Sequence, residues 1–178
     1  MNGDDSSSEP GTLDRDNDLS IAEGQSVWLL HMDCVVVNDD GSLLDALSMA
    51  CRASLLDLRI PKFEVLETSE VGPSGPDITI DEDPNSFWTL DCSAVPVIVS
   101  IGIVERNWLF DMSKREETLC RNVLSFGVAS GGLIKQVKSM GSANVSYKVM
   151  NNVIEAASLA GKKRNVLHCM VTLRTNRL

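Results

Sequence analysis

One stretch, Gln25 to Leu58, constrains the fold more than any other, because its apolar period changes once within it. Trp28, Leu30, Met32, Cys34 and Val36 are apolar at alternate positions, with His31 and Asp33 between them. That period of two marks a strand with one well-buried face. Asn38–Gly41 ("NDDG") supplies a turn. Ser42 then stands where a helix N-cap belongs, with Asp45 three residues on as an approximate capping-box partner. Leu44, Leu47, Cys51, Leu55 and Leu58 run down one helical stripe, widened by Leu43, Ala46, Ala50 and Ala53. Asp45, Ser48 and Arg52 fall on the other side, so the helix is amphipathic and ends before Pro61.

Further along, "FEVLE" reads as a short strand. Residues 69–86 form an acidic, Gly/Pro-punctuated loop insertion with one weak strand in "ITI". Two β-rich runs follow between Phe87 and Met112, the second followed by a turn near "ERN". "LCRNVLSFGVASGGLIKQVKSMG" reads as a hairpin turning at "ASGG". A helix after Ser142 places Met150, Val153, Ala157 and Ala160 in register, with Gly161 a tolerated weak point. The order predicts an α+β class, with a mostly antiparallel or mixed sheet and helices on one side. Residues 1–24 hold little to bury and are expected to be a disordered acidic leader, so the ordered region is 25–174.

A net charge of −9 conceals an asymmetry. Residues 1–24 carry seven acids and one base, and residues 63–83 carry seven acids and no base. From Pro84 onward there are twelve Lys/Arg against six Asp/Glu, a surplus of six positive charges. The acidic total argues against a stand-alone nucleic-acid binder, while the basic half is compatible with a share in a composite channel. No apolar run approaches the roughly 20 residues that span a bilayer, so no membrane partner is expected. The N-terminus has no apolar signal core. Five scattered cysteines without a C-x-x-C pair read as free buried thiols in a reducing compartment rather than disulfides or zinc ligands.

Asp111 and Glu117, six apart in "LFDMSKREETLC", are the foremost candidates for chemistry. Two carboxylates at a strand end can hold Mg²⁺ beside a phosphate. Spacing alone favours an ordinary charged turn, because Lys114, Arg115 and Glu116 surround Glu117. "SFGVASGG" should feed a helix if it cradled phosphate, and a strand follows instead. His31 and His168 have no partner motif, and adjacent His168 and Cys169 point apart on a helix. Lys162, Lys163 and Arg164 read as a solvated helix face, and Trp28, Trp88 and Trp108 as core or interface residues. The residues by themselves give an α+β domain with no convincing active site.

Three stretches in order resemble the RNase PH family: "WLLHMDCVVVNDDGSLLDALSMACRASLLDLRIP", "VPVIVSIGIVERNWLFDMSKREE" and "KSMGSANVSYKVMNNVIEAASLAGKKRNVLHCMV". The resemblance implies an RNase PH-like (ribosomal protein S5 domain 2-like) fold, incomplete in its N-terminal half. Asp111 and Glu117 then fall where phosphorolytic members carry two aspartates. Glu at the second position extends its carboxylate by one methylene, a poor exchange where in-line displacement needs close alignment. The family's phosphate-binding arginine lies in the half that the resemblance does not cover. The resemblance therefore implies no catalytic residues, no metal and no cofactor, with Asp111 and Glu117 a degenerate remnant. The expected partners are other RNase PH-type exosome ring subunits, cap subunits, and single-stranded RNA threaded through the assembled ring. The expected compartments are nucleus, nucleolus and cytoplasm. Two competing readings remain: a phosphorolytic 3′-to-5′ exoribonuclease using Asp111 and Glu117 with a divalent metal, and an acidic protein-interaction module unrelated to RNA. Helix Ser42–Leu58, apolar around more than half its circumference, is expected to leave an exposed apolar patch.

Overall fold

A computed structural model describes residues 19–22, 26–66, 77–142 and 144–175. It divides into two units, one of residues 1–31 and 60–88 and one of residues 32–59 and 89–178.

Among the described residues, the first unit holds three two-stranded ladders, all antiparallel: β1 (Ser20–Ala22) with β2 (Ser26–Val27), β3 (Ile60–Pro61) with β6 (Phe87–Trp88), and β4 (Phe63–Leu66) with β5 (Asp77–Ile80). The described part of the acidic insertion is thus one arm of a hairpin. The Trp28 ring meets Phe63 edge-on at 6.4 Å, and Ile60 is buried. β1 lies inside the stretch that composition assigns to a disordered leader, while residues 1–18 fall outside the described set.

The second unit is built on a four-stranded antiparallel sheet in the order β10 (Ile134–Gly141), β9 (Asn122–Val128), β7 (Val97–Val104), β8 (Asn107–Phe110). Alternation decides its core. Val99, Ile101 and Ile103 of β7 and Leu124, Phe126 and Val128 of β9 point to one face, where they meet Val153 and Ala157 of α3 (Tyr147–Thr175). Met150 and Ala160 flank them, as the helical register predicts. The hairpin turn at "ASGG" and the turn after Val104 also form as expected, the latter with Glu105 at φ 55°.

Helix α1 (Leu43–Asp57) forms where the sequence places it, but its polar side faces inward. Asp45 and Arg52 are buried, whereas Leu44, Ala46 and Ala50 are exposed. The cause is the unequal length of the neighbouring strands. β8 pairs only with Ile101–Val104, so the leading half of β7 has no strand on that edge among the described residues. Buried N–H and C=O groups there need partners, and α1 and α3 supply them. Ile98 N–H donates to Ser48 Oγ (2.8 Å), and Ser100 N–H donates to both Asp45 oxygens (2.9 and 3.0 Å). Arg164 of α3 donates to the Ile98 carbonyl (3.0 Å) and pairs with Asp45, and Arg52 donates to the Val95 carbonyl. Positions 45, 48 and 52 lie on one helical face at the spacing that follows a strand edge. The lysines of the basic run, Lys162 and Lys163, are exposed as expected, and Arg164 is not part of that solvated face.

Two other expectations are corrected. Beyond the two-residue β2 and the Trp28 N–H, which donates to the Leu19 carbonyl (2.8 Å), the alternating run at residues 28–37 forms no strand among the described residues, and Leu29, Val35 and Val37 are 75%, 86% and 95% exposed. A strand pattern forms a strand only when a second backbone meets its N–H and C=O groups. Gly161 is required rather than tolerated: a Cβ there would stand 2.4 Å from the Val128 Cβ, so the glycine lets α3 sit directly on β9.

Candidate functional site

The acidic segment after β8 does not form a turn of free charges. Ser113 caps a short helix, α2 (Lys114–Leu119), in a full capping box: Glu116 N–H donates to the Ser113 hydroxyl, and Ser113 N–H donates to Glu116 Oε2 (2.9 Å). The S-x-x-E signal is visible in "SKRE" and was missed in favour of the charges. Those bonds from Ser113, backbone first, hold the Glu116 carboxyl below its usual range.

The "NDDG" turn docks against this segment. Gly41, at φ 102°, lies so close to it that a Cβ would stand 2.1 Å from the Met112 carbonyl oxygen. Ser42 adopts left-handed φ/ψ (47°, 35°) and caps nothing with its side chain; its hydroxyl instead donates to the Met112 carbonyl (3.2 Å). Ser42 thus stands at the N-cap position, as expected, but the capping-box exchange with Asp45 is corrected: the Asp45 carboxylate serves β7. Lys114 N–H donates to the Asp40 carbonyl (2.9 Å), and its ammonium pairs with Asp39. That hydrogen bond from Lys114, then the Gly41 N–H, lowers the Asp39 carboxyl, and Asp39 in turn raises Lys114.

The two candidate acids part company at this junction. Glu117 Oε1 accepts the Ser42 N–H at 2.8 Å in a part-buried contact, which ties α2 to the start of α1. Asp111 sits at φ 51°, exposed, at the end of β8. No group of three or more His, Cys, Asp or Glu side chains converges to hold a metal among the described residues. A divalent ion needs several oxygen ligands. One oxygen of Glu117 is thus already committed to a backbone N–H. Behind it, Gly102 gives room for Met112 and Cys120, whose sulfurs stand 2.1 and 2.4 Å from where a Cβ would be. Among the other candidates, His31 is exposed, and the His168 and Cys169 side chains lie outside the described residues. Trp108 packs on the core, as its strand context predicts, while the buried indole N–H groups of Trp28 and Trp88 have no acceptor among the described residues.

Two models described as the 3′ exoribonuclease family match the chain, domain 1 over residues 11–61 and domain 2 over residues 94–159. The chain belongs to this family, that of RNase PH. The domain 1 match takes in the strand pattern, the "NDDG" turn and α1; the domain 2 match takes in β7–β10, α2 and the first half of α3. The chain is 32% identical over 151 residues to a Dictyostelium discoideum protein named "Putative exosome complex exonuclease RRP42", covering 83% of this chain and 45% of that one. It is 40% identical over 154 residues to the Aeropyrum pernix "Exosome complex component Rrp42", covering 86% and 52%. The chain thus spans about half the length of the curated relatives it matches. Its fold is similar to a chain of the Archaeoglobus fulgidus exosome with RNA bound to the active site (TM-score 0.50, 20% identity, 71% and 43% covered). It is also similar to rice Rrp46 (TM-score 0.51, 16% identity, 77% and 51% covered). These likenesses bear out the RNase PH-like α+β fold expected from the three sequence stretches.

Proposed function

We propose that the chain is a non-catalytic subunit of an RNA exosome core, packing beside other RNase PH-type subunits and under cap subunits in a ring that passes single-stranded RNA. Its processes are then 3′-to-5′ RNA processing and degradation, ribosomal RNA maturation included, in the nucleus, nucleolus and cytoplasm. The observation that carries the assignment is the likeness to proteins named as the Rrp42 component across 82–87% of this chain. The non-catalytic part draws its support from Glu117, whose carboxylate is engaged with the Ser42 N–H and fixes two helices together. An acid that moves away from that N–H strands a part-buried donor, which costs about 1–3 kcal/mol. Metal or RNA would have to offset that cost before binding at all.

Affinity purification from cells tests the assignment: the other ring subunits should co-purify in comparable amounts. Recovery of the chain with none of them would overturn it. A second reading, phosphorolytic catalysis, draws on the word "exonuclease" in the name of the Dictyostelium relative. Under the present proposal, purified chain incubated with RNA, inorganic phosphate and Mg²⁺ releases no nucleoside diphosphate above an Asp111→Ala control.

A further inference from the structure

Outside this junction, one pair of reactive groups has no role in the fold described so far. The Cys34 and Cys51 sulfurs lie 3.4 Å apart, one on the run at residues 32–37 and the other on α1. Cys34 is exposed and Cys51 half-buried. The other described cysteines are differently placed: Cys92 is buried, and the Cys120 thiol contacts the Glu116 carbonyl (3.2 Å) and Met112 Sδ (3.6 Å). A disulfide needs the two sulfurs roughly 1.3 Å closer than they stand, a distance that side-chain rotation can close.

We propose that Cys34 and Cys51 form a reversible dithiol site for low-molecular-weight disulfides of the oxidised-glutathione class, and that its oxidised form staples residues 32–37 to α1. The Cys34 thiol loses its proton to water, and the thiolate attacks one sulfur of the reagent. The reagent's S–S bond breaks, and one thiolate leaves and takes up a proton. Cys51, deprotonated in turn, attacks the Cys34 sulfur of the mixed disulfide and expels the second thiol. Two protein thiols are oxidised to one disulfide, and one reagent disulfide is reduced to two thiols. The order of attack follows from exposure and from the hydrogen bond between the sulfurs. That bond, then burial, raises the Cys51 thiol above its usual range. Once Cys34 is derivatised, Cys51 no longer faces a neighbouring thiolate, and Cys51 becomes the resolving group.

The staple acts on a run that no strand pairing holds among the described residues. Val35 and Val37 follow Cys34 at 86% and 95% exposure, with no strand partner among the described residues. Joining residue 34 to residue 51 closes a short loop that spans the "NDDG" turn. The oxidised chain then keeps this apolar run against the helix, and the reduced chain leaves it free to pair elsewhere. This inference does not depend on the assignment to an exosome.

The test uses the full chain treated with oxidised glutathione, followed by intact-mass analysis and peptide mapping. Wild type should lose two hydrogens, with Cys34 joined to Cys51, and retain no glutathione. Cys51→Ser should hold one glutathione on Cys34 without releasing it, and Cys34→Ser should form no cross-link. The link should form at least about tenfold faster in the native protein than in urea, where the two thiols meet only by diffusion of a flexible loop. Equal rates in the two states would overturn the proposal, as would a link mapped to Cys92, Cys120 or Cys169. The native-to-urea comparison on wild type decides the matter even if a serine variant fails to fold.

Discussion

Replacing Asp45 with alanine should cost about 3 kcal/mol, although periodicity places this residue on the polar side of an amphipathic helix. Asp45 is 2% exposed, and both its oxygens accept the N–H of Ser100, itself 4% exposed. Stranding that donor costs about 1–3 kcal/mol. The same change removes the counter-charge from Arg164. Breaking a fully buried pair costs about 3–5 kcal/mol, but the Arg164 side chain is 22% exposed and keeps the Ile98 carbonyl, so the lower part of that range applies. The two losses share one carboxylate and do not add. Asp45→Asn retains an acceptor and should cost about half as much. Leu44→Ala, on the helix side the pattern reads as core, removes a side chain already 36% exposed and should cost about 1 kcal/mol or less. Urea unfolding followed by tryptophan fluorescence, with equal m-values across the set, measures all three. If Asp45→Ala fell within about 0.5 kcal/mol of wild type while Leu44→Ala proved costly, the inward polar face would be wrong.

Gly161→Ala gains about 1 kcal/mol of helix propensity, yet its Cβ would stand 2.4 Å from Val128 Cβ in a filled core. Overpacking of about 1–3 kcal/mol should win, and Tm should fall by several degrees in calorimetry. Glu117→Gln keeps an acceptor for Ser42 N–H and should be nearly neutral, whereas Glu117→Ala should lose about 1 kcal/mol; a metal-binding role would instead make both equally damaging to activity with Mg²⁺. Asp39 and Glu116 have folded-state pKa values below their reference values of 3.8 and 4.5, held there first by Lys114 and by Ser113 respectively. The stability they lend is complete above those reference values and is lost as pH falls through the lower, folded ones. The urea midpoint should therefore decline below about pH 4 through these groups and not on raising pH from 5 to 8.

The residues show how much of this was legible in the sequence. Met150, Val153, Ala157 and Ala160 named the buried face of α3 because their partners are apolar side chains, which periodicity counts directly. Asp45, Ser48 and Arg52 were misplaced because their partners are backbone groups at the edge of a strand some fifty residues away. A hydrophobic pattern carries no information about where a neighbouring strand stops. The run at 28–37 failed for a related reason: alternation states that a segment suits a strand and is silent on whether a second strand is there to pair with it. α2 was local and could have been read, since Ser113 and Glu116 have capping-box spacing. Attention to the charges of Asp111 and Glu117 displaced it.

The carboxylates themselves separate structure from chemistry by what their oxygens meet. Asp45 and Glu117 both receive backbone N–H groups, one from an uncovered strand edge and the other from the residue that opens a helix. Each solves a hydrogen-bonding deficit created elsewhere in the fold, and a group fixed in that way cannot also move to meet a metal or a reacting phosphate without reopening the deficit. Asp111 has no such duty and stands exposed in a left-handed conformation beside the Gly41 junction. Glu117→Asp would shorten the arm that reaches Ser42 and should loosen the union of α1 and α2 at the same stroke.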